Sequence, residues 1–172
     1  MKVDITDVLS IENWIAKQQV RIDLAVFDSR LGKFPITDKA PFTLHLENQE
    51  NKQILILGET DVAVAVPCDR CLEEVPVKLH LIIDRKIPLA EAEGEEAADT
   101  GWLAGSSLDV DRLIYDEILV NWPMKVLCRN ECKGICKKCG ANLNRESCSC
   151  DRSEQDPRMA AIQDIFNQFK EV

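Results

Sequence analysis

Four close pairs of cysteines constrain this chain more than any other feature of its sequence: Cys68/Cys71, Cys128/Cys132, Cys136/Cys139 and Cys148/Cys150. Two thiolates a few residues apart reach one ion from a single tight turn, and a second pair arriving from elsewhere completes a tetrahedron. Four thiolates leave no position open to a substrate. The pattern therefore predicts structural metal, Zn²⁺ as the natural ion, with two ions per chain and four cysteines on each. Iron in such a site stays open from sequence, although the bacterial ferredoxin run of cysteines is missing. If each pair stays together, three arrangements into two sites are possible. The most local joins Cys136 and Cys139 to Cys148 and Cys150 around the loop 140–147, in a segment too polar to build its own core. Cys68 and Cys71 then meet Cys128 and Cys132 across about 60 residues of chain, a closure whose entropy the metal bonds must offset. Gly140, directly after Cys139, permits the positive φ that turns backbone N–H groups toward knuckle sulfurs.

Other chemistries lack their residues. A thioredoxin-like pair should open a helix in a β-α-β pattern, whereas Cys68-Asp69-Arg70-Cys71 falls between two strand patterns. Catalytic zinc keeps a water and takes histidine or carboxylate ligands, but His45 and His80 alternate with leucines and read as outward-facing strand residues. With no Gly-rich phosphate loop, nucleophile elbow or His-Glu-x-x-His pair, no catalytic residue is predicted and the chain reads as non-enzymatic.

The chain has 172 residues, 45% apolar and 30% charged, with a formal charge of −9. That suits one globular domain with a small appendage. No window approaches the roughly 18 apolar residues of a membrane span, and the segment 1–7 lacks the apolar core of a secretory signal. A cytoplasmic chain with reduced thiols is expected, without membrane association. Its acidity argues against indiscriminate coating of nucleic acid. Between 125 and 145, however, Lys125, Arg129, Lys133, Lys137, Lys138 and Arg145 face the single Glu131. Arg129, Lys133, Lys137, Lys138 and Arg145 are candidate phosphate contacts; equally, they can offset the charge of ionised metal-bound cysteines. The absence of Phe, Tyr and Trp between Pro123 and Ile165 argues against base stacking by this segment.

The periodicity predicts an α+β fold: an antiparallel meander or partly closed sheet, two or three helices and a C-terminal Cys-rich zinc module. Apolar residues alternate over 42–46, 61–66 and 75–83, with a run at 54–57, which places Cys68 and Cys71 at the tip of a long hairpin. Residues 10–20 suggest a short helix around Trp14 and Ile15. Residues 90–107, rich in Glu, Ala and Gly, suggest an exposed acidic loop. Val110, Leu113, Ile114 and Ile118 recur at helical spacing over 109–122, before Pro123. Glu117 falls on that apolar face, either as a functional carboxylate or as a flank residue paired with a base. Asp156-Pro157 signals a last helix carrying Ile162, Ile165, Phe166 and Phe169. Residues 1–127 thus form an expected sheet domain, and 128–172 a metal-binding segment plus helix packed on it.

Several of these motifs together resemble the YceD family, associated with accumulation of large-subunit ribosomal RNA. They are Cys68-Asp-Arg-Cys71-Leu72 after a strand, Asp116-Glu117-Ile118-Leu119 leading to Trp122-Pro123 and Cys128, Cys132-Lys-Gly-Ile-Cys136-Lys-Lys-Cys139-Gly-Ala-Asn142-Leu-Asn144, and Asp156-Pro157-Arg158. The resemblance covers most of the chain, as a variant carrying the C-terminal four-cysteine module. Family members of this kind are found in bacteria, and some lack the cluster 136–150. What the resemblance implies is a non-enzymatic role in accumulation, processing or assembly of large-subunit (23S) ribosomal RNA. Its partners would be that RNA or its precursor particle, with or without a ribosomal or assembly protein, and no small-molecule substrate. The alternative is a protein–protein interaction module that never touches RNA.

Overall fold

The computed structural model describes residues 1–89, 101–150 and 162. Its centre is a hairpin of two long strands, β6 (Gln53–Pro67) and β7 (Glu74–Pro88), paired without a break from Gln53↔Pro88 to Pro67↔Glu74. Such strands run roughly 50 Å, so the hairpin tip stands well away from its base. The other edge of β6 is shared. β5 (Phe42–Gln49) pairs with its first part and β4 (Gly32–Lys39) with Val62–Val64, while β2 (Ile15–Val20) and β3 (Val26–Ser29) extend the two ends. The result is a six-stranded antiparallel sheet that does not close into a barrel. Gly58 marks the point where β6 passes from one neighbour to the other. A Cβ there would lie 3.0 Å from the Phe42 ring and 3.3 Å from Ile83, so the close approach needs glycine.

Alternation along the strands decides what is buried. Phe42, Leu44 and Leu46 of β5, Ile54 and Ile56 of β6, and Leu79, Leu81 and Ile83 of β7 share the core face. From Val62 to Val66 both faces of β6 are buried, which the small Ala63 and Ala65 permit. Helix α2 (Val110–Val120) lies against β7; the Asp109 side chain caps it by accepting from the N–H groups of Asp111 and Arg112. Its buried face is Val110, Leu113, Ile114, Glu117 and Ile118. Glu117 is paired with a base as expected, Arg85 of β7 at 2.5 Å, but it is 3% exposed and lies within the buried face rather than on its flank. Beyond α2, Trp122 stacks on Phe27, with centroids at 5.0 Å, and lies tilted against Phe34 at 4.8 Å. This fixes the direction in which the chain leaves the helix toward Cys128.

Two expectations are corrected. The helix near the start is α1 (Thr6–Ser10), and Ile15–Val20 is strand β2, pairing from Ile15↔Glu47 to Val20↔Phe42. The open edge of β5 rewards pairing there, and tertiary context overrides an ambiguous local pattern. Within 90–107, the expected exposed loop is interrupted at Trp102 and Leu103, while residues 101 and 104–106 are exposed. Trp102 and Leu103 are buried, and β8 (Leu103–Ala104) pairs with β9 (Ser107–Asp109), which pairs in turn with β1 (Lys2–Asp4). Two large apolar side chains suffice to pull a short segment inward. The acidic residues 91–99 and the last helix lie outside the described residues, Ile162 excepted, which is helical and exposed. No helix among the described residues is long and apolar enough to cross a membrane.

Candidate metal centres

The β6–β7 tip folds as a knuckle because its backbone groups close on one another. Cys68 N–H donates to the Glu73 carbonyl at 2.8 Å, and Leu72 N–H to the Cys68 carbonyl at 3.0 Å, with Leu72 at φ +61°. Asp69 ties this tip to the segment behind α2: its N–H donates to the Val126 carbonyl at 2.9 Å and its carboxylate accepts from Val126 N–H at 2.7 Å. Those two bonds deliver Cys128 and Cys132 to Cys68 and Cys71. The sulfurs of Cys71 and Cys128 are 3.5 Å apart, those of Cys68 and Cys132 3.8 Å, and all four lie within 4.8 Å of one another.

The second group is built locally. Gly140 takes φ +75° and donates to the Cys136 carbonyl at 2.9 Å, while Cys136 N–H donates to the Ala141 carbonyl at 2.8 Å. The sulfurs of Cys136, Cys139, Cys148 and Cys150 again lie within 4.8 Å of one another. The two groups differ in access. Cys68, Cys71 and Cys132 are buried and Cys128 half-buried, whereas in the second group only Cys136 is buried and Cys139 is exposed.

Both groups fit a metal ion. A tetrahedron with arms of about 2.3 Å has edges of about 3.8 Å, close to the 3.5 and 3.8 Å separations of the first group and inside the 4.8 Å that bounds the second. All eight cysteines are free thiols. Backbone donors prepare the sulfurs for ionisation. Burial opposes the Cys68 thiolate, but N–H groups of Arg70, Cys71 and Cys128 outweigh it and draw its pKa to about 6. N–H groups of Cys139 and Lys138 draw that of Cys136 to about 6. Their neighbours are shifted the other way. At Cys71 the Glu73 N–H favours the thiolate, yet burial and the adjoining sulfurs prevail and push its pKa up to about 12; contacts with Cys139 and burial push Cys150 to about 12. Four thiolates within one such space repel each other unless a cation lies among them, so each donor set suits a divalent cation.

The residues around the sulfurs had no clear signal in the sequence. Asn144, from the loop 140–147, donates through Nδ2 to Cys132 Sγ at 3.2 Å and accepts Lys133 N–H through Oδ1 at 2.8 Å. Arg70 donates to the Cys132 carbonyl at 2.8 Å, and its own carbonyl accepts Ile135 N–H at 3.1 Å. Arg145 pairs with Glu73 at the hairpin tip. Two polar residues between paired cysteines, and asparagines inside a metal loop, are the only hints a sequence offers of such contacts.

The five basic candidates are all exposed. Arg145 is held by Glu73, and Arg129 donates to the Asn144 carbonyl at 3.3 Å. Two of the five therefore also brace the modules. His45 and His80 stand apart from both centres, His80 between Asp61 at 2.9 Å and Glu59 at 3.3 Å on the outer face of the hairpin.

Residues 56–166 match a family model described as large ribosomal RNA subunit accumulation protein YceD. Among curated proteins, the chain is 24% identical over 152 residues to a protein named large ribosomal RNA subunit accumulation protein YCED homolog 1, chloroplastic, from Arabidopsis thaliana, covering 72% of this chain and 47% of that one. It is 25% identical over 123 residues to the uncharacterized protein YlbN of Bacillus subtilis, covering 71% and 72%. A 48-residue stretch is 40% identical to the YCED homolog 1 of Zea mays, covering 27% of this chain and 16% of the maize one. The chain spans about half the length of the first of these relatives. No solved structure matches it.

Proposed function

The chain belongs to the YceD family, and from that premise we propose that it is a cytoplasmic, non-enzymatic zinc protein that assists accumulation of large-subunit ribosomal RNA. The observation that carries the metal part is the pair of four-sulfur groups, each with its sulfurs within 4.8 Å of one another. Each donor set is sulfur alone, so bound zinc supplies cross-linking rather than a reactive water. Cys68, Cys71, Cys128 and Cys132 would hold one ion and Cys136, Cys139, Cys148 and Cys150 the other. Elemental analysis of the purified protein is expected to give two zincs per chain, and one zinc, or iron, would refute this.

For the RNA part, the exposed basic residues beside the centres support a contact with phosphates of the RNA or its precursor particle. Lys133, Lys137, Lys138, Arg129 and Arg145 would provide it. Charge reversal of Lys133, Lys137 and Lys138 together is expected to abolish co-sedimentation with large-subunit precursor particles. Unchanged co-sedimentation would sink the assignment.

A second reading has its own support. Leu72 at the first knuckle is 63% exposed and Ile135 at the second is 36% exposed, which suits a protein contact without RNA. Ultraviolet crosslinking separates the two, since protein adducts without RNA adducts favour the second.

A further inference from the structure

The two metal centres are separate in sequence but share one residue. The loop 140–147 is closed by ligands of the second centre, yet Asn144 in that loop reaches a ligand of the first. Its amide has one orientation that works. Lys133 N–H is a donor and must face Oδ1, which leaves Nδ2 to point at Cys132 Sγ. The loop holds Asn144 in that pose from several sides: Asn144 N–H donates to Asn142 Oδ1 at 2.9 Å, Arg129 donates to its carbonyl, and Leu143 N–H donates to the Gly134 carbonyl at 2.9 Å. Gly134 itself sits against the first knuckle. It takes φ +77°, and a Cβ there would lie 3.0 Å from the Arg70 carbonyl.

We infer that Asn144 couples the centres: an ion in the exposed second centre orders the loop, and the ordered loop's N–H···S bond sets how tightly the buried first centre keeps its ion. The inference rests on the metal reading above. An amide donor to a metal-bound thiolate draws off part of the sulfur's charge and fixes its direction, and outer-shell bonds of this kind are worth roughly 10- to 100-fold in metal retention. The second centre then acts on the first through a positioning residue, with no ligand in common.

Transfer of metal from the full-length dizinc protein to a chromophoric chelator tests this. The wild type is expected to release two ions in two phases, fast from the second centre and slow from the first, following their exposure. Asn144→Ala is expected to quicken the slow phase roughly 10- to 100-fold and leave the fast one unchanged. Asn144→Asp keeps the oxygen that accepts Lys133 N–H but loses the donor, so it is expected to do the same. Cys148→Ser, which breaks the second centre, is expected to leave one ion that departs as quickly as in Asn144→Ala.

In the dicobalt protein, Asn144→Asp is expected to move the sulfur-to-cobalt charge-transfer band to longer wavelength, a change that looser packing alone would not cause. A slow phase within about twofold of wild type in either Asn144 variant, an unshifted band, or a slowly released ion in Cys148→Ser overturns the coupling. A protein that binds no metal at all defeats the metal reading instead.

Discussion

At the scale of the residue, the polar groups that lie under the surface tie distant segments together. Asp111 shows this outside the metal region. Its carboxylate accepts the N–H groups of Asp23 at 2.7 Å and Leu24 at 2.9 Å and pairs with the Met1 amino group. Burial alone would raise its pKa, but the amino group and the two N–H donors prevail and hold it below the usual carboxylate value. A carboxylate lowered in this way contributes stability that is present above its unfolded pKa of about 3.9 and disappears as pH falls through the folded value. Asp111→Asn is therefore expected to cost about 1–2 kcal/mol at neutral pH and progressively less below about pH 4, read from urea midpoints across that range. Glu117 behaves in the opposite sense. Burial raises its pKa despite Arg85, so it favours the fold more as pH falls, and its pairing partner matters most near neutrality. Arg85→Ala is expected to cost about 2–3 kcal/mol at neutral pH, less than a fully buried pair because Arg85 is 38% exposed. Calorimetric melting of the variant beside wild type checks the size.

The elements show what a sequence carries and what it withholds. The strands β5, β6 and β7 were legible because their alternation is a local property, and α2 because its apolar stripe and the stop at Pro123 are local too. β2 was not: what makes Ile15–Val20 a strand is the free edge of β5, and nothing in the segment names that partner. The burial of Trp102 was missed in the same way, since an acidic composition around it outweighed one aromatic whose place is set by β8 and β9. In the metal region the cysteine pairs were readable from spacing, whereas Asp69, Glu73 and Asn144 were not, because their partners are set by the meeting of two knuckles. That meeting is close enough to test. Gly134→Ala places a methyl group against the Arg70 carbonyl in a left-handed backbone, and is expected to cost about 1–3 kcal/mol while leaving two ions bound. Metal analysis alongside urea unfolding separates this from a loss of ligation.

For the whole molecule, the two centres differ in what they hold. The first joins the sheet to the chain behind α2; the second organises 136–150 and, through Arg145 and Asn144, braces the first. Cys71→Ser is expected to destabilise the entire fold. Cys139→Ser is expected to lose one ion and disorder the loop 140–147 while the sheet persists, but with a first centre weaker than wild type, because Asn144 is released with the loop. Amide hydrogen exchange over β6 and β7 measures the difference: protection lost in Cys71→Ser and kept in Cys139→Ser. Equal damage from the two variants would contradict this hierarchy. Until the hairpin tip and the segment behind α2 have come together, the chain presents the first ion with two sulfurs and never four. If the first group takes an ion as proposed, its capture would wait on that closure and record its completion. A chain arrested before closure would then stay metal-poor there, so that occupancy of this one site would distinguish finished molecules from unfinished ones wherever the ion is scarce.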